Sequence, residues 1–169
     1  MTLSEIIGES KNIVFFGGAG VSTESGIPDF RSEDGLYSLK YDVPPEEILS
    51  HTYFMRHTDK FYDFYRDKMI FLSAKPNKAH YKLAQLENEG RLSAVITQNI
   101  DGLHTAAGSK CVYELHGSVH RNICQSCGRV FSAEYIMSTT GVPHCECGGL
   151  IKPDVVLYEE PLDEKTVTG

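Results

Sequence analysis

Short apolar blocks alternate with longer amphipathic ones along the chain. Residues 12–16 (NIVFF), 93–97 (SAVIT) and 112–115 (VYEL) are short runs with β-branched and aromatic members, and they predict buried strands. Residues 154–158 (DVVLY) are a candidate fourth. Helical patterns cover 45–57, 59–72 and 77–89, the last preceded by Pro76 and stopped by Gly90. In the middle one Phe61, Phe64, Tyr65, Lys68 and Phe71 or Leu72 recur at three- and four-residue spacing, the pattern of a helix face packed on a core. Ser22 and Thr23, with Glu24 behind them, open a helix over 21–26. Residues 27–43, with Pro28 and Gly35, read as a long loop, and such loops are usually functional. Strands alternating with helices predict an α/β domain with a mainly parallel sheet.

Composition narrows the class. The chain has 169 residues, 41% apolar and 23% charged, which suits one globular domain. No apolar run is long enough to cross a bilayer, and the N-terminus lacks the basic and apolar regions of a secretory signal, so no membrane partner and a cytoplasmic location are expected. The net charge of −7 argues against direct nucleic-acid binding, which needs a basic face, and is compatible with basic peptide partners.

Four stretches carry chemistry. The first is GGAGVSTESGIPDFRS, residues 17–32, behind the first strand. Gly18 and Gly20 fit a dinucleotide-binding turn, which aims backbone N–H groups and a helix end at a phosphate. Thr23 stands where the third glycine of that fingerprint belongs, so a plain strand-to-helix turn is the alternative. Arg31, beside Phe30, adds a guanidinium suited to a phosphate. The second is TQNIDGLH, residues 97–104, which puts Gln98, Asn99 and Asp101 just past a strand end, where open α/β sheets bind ligands. The same residues also suit a polar turn. The third is ELHGS, residues 114–118, where His116 is either a general base near neutral pH or a structural histidine.

The fourth is the cysteine pattern. Cys124 and Cys127 (CQSC) are followed by Cys145 and Cys147 (CEC). Two such clusters in a reducing compartment indicate a closed, structural zinc site; free thiols or a redox pair are the alternatives. His144 competes with Cys145 as third ligand, and thiolate is the better zinc ligand. Cys111 reads as a packed thiol.

In combination and order, GAGVSTESGIPDFRS, TQNIDGLH, LHGS, the paired cysteines and IKPDVVLYEE resemble the sirtuins, the NAD-dependent protein-lysine deacylases. The resemblance implies an incomplete Rossmann-like parallel sheet with a small zinc-ribbon module and a helical insertion. Its parts would be 1–35 and 76–119 for the NAD-binding domain, 36–75 for the insertion, 120–152 for the zinc module, and 153–169 for the substrate-peptide strand. It implies NAD and zinc as cofactors and acetylated lysine peptides as partners, with a monomer when complete. Gly18, Ala19, Gly20, Ser22, Thr23, Asp29, Phe30, Arg31, Gln98, Asn99, Ile100 and Asp101 would bind NAD. His116, with Asn99, would be catalytic. Val155, Val156, Leu157 and Tyr158 would hold the peptide by main-chain bonds, as an added strand. In the implied reaction the acyl oxygen attacks the ribose carbon bearing nicotinamide, His116 takes a proton from the ribose hydroxyls, and O-acetyl-ADP-ribose and free lysine result.

Tyr65 and Lys68 match the Tyr-x-x-Arg pair of sirtuins that prefer acidic acyl groups, with lysine in place of the bidentate arginine, which favours acetyl. Glu159 stands where many relatives have glycine. The chain stops at Gly169, short of the family's later strands, so an exposed sheet edge and uncovered apolar surface are expected. Two other functions remain open here: a non-catalytic, zinc-stabilised acyl-lysine-binding fragment, and an NAD-dependent ADP-ribosyltransferase.

Overall fold

The computed structural model describes residues 2–30, 32, 35, 36 and 42–168. In chain order its elements are α1 (Leu3–Glu9), β1 (Ile13–Gly17), a 3-10 helix (Ala19–Ser25), α2 (Pro45–Ile48), α3 (His51–Arg56), α4 (Thr58–Lys68), α5 (Lys78–Asn88), β2 (Leu92–Thr97), α6 (Leu103–Ala106), β3 (Val112–Glu114), β4 (Gly117–Cys124), β5 (Val130–Phe131), α7 (Ala133–Ser138), β6 (Ile151–Val155) and α8 (Glu164–Thr168).

Two small sheets organise the molecule. The first is parallel, in the order β1-β2-β3. Its register sets Gly17 opposite Thr97, and Thr97 opposite Glu114. All three strands therefore end at one edge, and the loops beginning at Gly18, Gln98 and Leu115 meet there. Helix α5 covers this sheet and buries Leu86 against Leu92 and Val95. The second sheet is antiparallel, in the order β5-β4-β6. Its strands share one large core with α2–α4 and α7: Phe54, Phe61, Tyr62 and Tyr65 pack edge-on or stacked, with Ala133, Ile136 and Ile151 fully buried beside them. Edge-to-face and offset rings at these separations are favourable beyond their area burial. The Tyr62 hydroxyl donates to the Ile151 carbonyl and ties the helices to β6.

Several elements differ from expectation. The helix expected at 21–26 is a 3-10 turn over 19–25, because the Ser22 and Thr23 hydroxyls bond sideways or backwards instead of capping an α-helix. The 45–57 pattern is two helices, since Ser50 accepts from the Tyr53 N–H and so caps a new start at 51. DVVLY does not join the parallel sheet. The strand runs over 151–155 in the antiparallel sheet, and Val156–Tyr158 peel away, with Tyr158 bridging Ser50. NIVFF, expected as a buried strand, is half-buried on one face, through Ile13 and Phe15, and open on the other, where Val14 is 56% and Phe16 61% exposed along edge strand β1. The remaining helix and strand patterns match observed elements within a few residues. Cys111, expected as a packed thiol, is half-buried.

Candidate active site

The loop after β2 and the turn after β1 interlock through side chains. Ser22 is buried and its Oγ donates to Asp101 Oδ2 at 2.6 Å, while Asn99 Nδ2 donates to Ser22 Oγ at 3.0 Å. Asn99 Nδ2 also reaches Asp101 Oδ2 at 3.3 Å, and Asp101 Oδ1 accepts from the Leu103 N–H at 2.9 Å. Thr97 Oγ1 accepts from the Asn99 N–H at 3.0 Å. A carboxylate so held accepts only charge-assisted bonds, which are the strong ones.

His116 follows β3. Its Nδ1 lies 3.0 Å from the Gln98 carbonyl oxygen. A carbonyl only accepts, so Nδ1 carries the proton and Nε2 keeps its lone pair for base work. The His116 carbonyl in turn accepts from the Val156 N–H at 3.1 Å, which sets the histidine beside the 156–158 segment. The next residue must be glycine: Gly117 has φ +75°, and a Cβ there would lie 1.9 Å from the Asp154 carbonyl oxygen.

A cavity of about 620 Å³ lies between these parts, a size that suits a small-molecule ligand. Of the residues singled out in the sequence, Ala19, Ser22, Asp29, Phe30, Gln98, Asn99, Ile100, Asp101, His116, Lys68 and Val155–Tyr158 line it. Gly18, Gly20 and Thr23 do not reach its wall. Gly18 backs onto Gln98, where a Cβ would be 3.2 Å from Oε1, and the Thr23 hydroxyl donates to the Gly20 carbonyl at 3.0 Å. Tyr65 is fully buried in the aromatic core and not on the wall, so it and Lys68 do not form a joint acyl-binding pair there. Lys68 pairs with Asp67 at 2.9 Å. Arg31 lies outside the described residues.

The sequence reading missed His120. It lines the cavity, and its Nε2 lies 3.0 Å from the Asp101 carbonyl oxygen, to which it donates. The signal was its position four residues beyond His116. It also missed a buried pair beneath the site. His80 and His104 have ring centroids 4.7 Å apart, and both are nearly solvent-free. Burial and the neighbouring His80 hold His104 down at about 4, against the pull of Asp101. Burial likewise lowers His80.

The four sulfurs of Cys124, Cys127, Cys145 and Cys147 lie within 4.8 Å of one another. Cys124 and Cys147 are 3.5 Å apart, Cys127 and Cys145 3.7 Å. Tetrahedral zinc–thiolate bonds of about 2.3 Å put sulfurs about 3.8 Å apart, so the donor set fits zinc. His144 is turned away onto the Gly148 carbonyl, which leaves Cys145 as the third ligand of this cluster.

The Sir2 family model matches residues 18–168. An NAD-dependent protein deacetylase of Clostridium acetobutylicum is 62% identical over 169 residues, which cover 98% of this chain and 69% of the relative. A solved Sir2 complex with a deacetylated p53 peptide and 3′-O-acetyl ADP-ribose superposes with TM-score 0.87 at 41% identity, covering 99% of this chain and 70% of that one. A Sir2 homolog–NAD complex superposes with TM-score 0.85 at 41% identity, covering 98% and 64%. The chain belongs to the Sir2 family, whose relatives are NAD-dependent protein deacetylases. It spans about two thirds of the length of the relatives it matches.

Proposed function

We propose that this site removes acetyl groups from protein lysine at the expense of NAD, with His116 as base and the Ser22–Asn99–Asp101 cluster as the grip on the nucleotide's ribose and nicotinamide. One observation carries the reading. The Gln98 carbonyl fixes the His116 tautomer, and the same imidazole borders both the polar cluster and the 155–158 segment across one cavity. NAD, when bound, supplies the ribose carbon that accepts the acyl oxygen and the nicotinamide that leaves. Nε2 of His116 then takes a proton from a ribose hydroxyl. Asn99 and Asp101 are already oriented by Ser22, so little reorganisation is needed on binding. Phe30 and Ile100 supply an apolar cover that keeps water from the reacting centre.

The peptide lies along Val155–Tyr158. The N–H groups of Val156, Leu157 and Tyr158 are already given to the His116 carbonyl, the Glu160 carboxylate and the Leu49 carbonyl. The Leu157 and Tyr158 carbonyls likewise accept from the Glu160 and His51 N–H groups, and the Val155 carbonyl from Lys152 Nζ, so the Val156 carbonyl is the main-chain group of this segment best placed to accept from a peptide N–H. The missing Tyr65–Lys68 clamp favours a neutral acetyl group over an acidic acyl group.

Incubation with NAD and an acetyl-lysine peptide tests this. Nicotinamide and O-acetyl-ADP-ribose should form in equal amounts. ADP-ribose appearing on protein instead would assign a transferase, and peptide binding without NAD consumption would assign a binding module.

A further inference from the structure

We infer that Asn77 is a positioning residue for the nucleotide grip, a role separate from its capping of α5. This rests on the reading of the Ser22–Asn99–Asp101 cluster given above. Asn77 is the N-cap of α5, and its Oδ1 accepts from the Ala79 N–H at 2.9 Å. Its Nδ2 faces the other way. It donates to the Val21 carbonyl at 2.7 Å and to Ser25 Oγ at 3.0 Å. These two acceptors bracket Ser22 within the 3-10 turn. One amide thus fastens the turn to the end of a helix 52 to 56 residues away in sequence.

The turn needs such a fastening. A 3-10 turn is weakly self-supporting, and its one buried residue is Ser22. The Ser22 hydroxyl is both the acceptor from Asn99 and the donor to Asp101, so a shift of the turn disturbs both partners. The same helix end supports the opposite side of the cluster. His80 accepts from the Asn77 N–H at 3.2 Å through Nδ1, and its ring packs on His104, three residues past Asp101. The first turn of α5 is therefore the common footing of both loops.

The two jobs of Asn77 use different atoms and can be separated. Asn77→Asp and Asn77→Ser keep a capping oxygen and lose both Nδ2 bonds, whereas Asn77→Ala loses cap and tether together. Two measurements are made on each. Backbone hydrogen exchange needs no turnover: in the Asp and Ser variants, amides of residues 21–27 should exchange about tenfold faster while those of α5 keep their wild-type rates. In steady-state kinetics the same variants should raise KM for NAD about tenfold and leave KM for the acetyl-lysine peptide unchanged. Exchange at 21–27 unchanged in the Asp and Ser variants, or accelerated equally in α5, would overturn the inference and leave Asn77 as a cap alone. A wild-type chain that consumes no NAD would count against the proposed function, while the exchange result would still decide the tether.

Discussion

His116 is oriented by the bond between its Nδ1 and the Gln98 carbonyl. The Gln98 carbonyl cannot donate, so in the neutral imidazole the proton sits on Nδ1 and the lone pair on Nε2. His116→Ala should lower deacetylation by about 100-fold or more without loss of Tm, measured as O-acetyl-ADP-ribose formed per enzyme. His104 makes a different demand. An unfolded histidine titrates near about 6.5, and in the fold His104 is held at about 4. The unfolded chain takes the proton first as pH falls. This contribution to stability is therefore complete above about 6.5 and is lost progressively down to about 4. His80 is lowered too and adds to the same loss. His104→Gln should flatten, but not abolish, the fall in unfolding free energy across that window in urea titrations at several pH values. At this scale the sequence exposed the chemistry of single motifs well. Asn99, Asp101 and His116 stand out by type and by place after a strand. It did not expose what holds them, because Ser22 reaches Asp101 and Asn99 across 79 and 77 residues, and Asn77 reaches Val21 and Ser25 across 56 and 52.

The segment from β6 into residues 156–160 is fastened to α3 by two carboxylates. Glu160 lies 2.8 Å from His51 Nδ1 and 3.0 Å from Lys152 Nζ, and it accepts from the Leu157 N–H at 2.9 Å. Burial acts to raise its pKa, but the Leu157, His51 and Lys152 contacts outweigh it and hold the carboxyl below its usual range. A carboxylate lowered in the fold stabilises above its unfolded value, about 4.3, and loses that contribution as pH falls through the lower folded value. The stability gap between wild type and Glu160→Gln should therefore close as pH drops below about 4, by urea unfolding. Glu159 is under strain. It is the one non-glycine residue with positive φ, at 76°, among the described residues, and its carboxylate accepts from the Thr52 N–H at 2.9 Å. Glu159→Ala keeps the backbone cost and loses the bond, while Glu159→Gly loses both. The glycine variant should melt about 3 °C above the alanine variant. The sheet to which DVVLY belongs was not legible, since a five-residue apolar run does not say which neighbour it will pair with.

Across the whole molecule, the four-cysteine cluster and the proposed catalytic site are two ends of the same strands. β4 begins at Gly117, next to His116, and ends at Cys124. β6 begins a few residues after Cys147 and ends at Val155, where the segment proposed to hold the peptide starts. Between them Ser118 pairs with Asp154, and Arg121 bonds both Asp154, at 2.7 Å, and Glu114, at 2.8 Å. The segments 36–75 and 120–152, distinct in the sequence, pack about one core, to which Cys124 and Cys145 contribute. Four thiolates without a metal are left close together, and the short β5 pairs with β4 at only two positions. An ion held by the four thiolates would tie the far ends of β4 and β6 together, and with them the spacing between His116 and the 155–158 segment. Removal of zinc by a chelator, or Cys124→Ala, should lower Tm and abolish deacetylation together, with peptide affinity lost before NAD affinity. The parallel sheet that carries Ser22, Asn99 and Asp101 has its own small core of Leu86, Leu92 and Val95. Titrations of each ligand against zinc content, followed by fluorescence of a labelled peptide and by calorimetry with NAD, check that order. Equal loss of both affinities would mean that the two cores unfold as one.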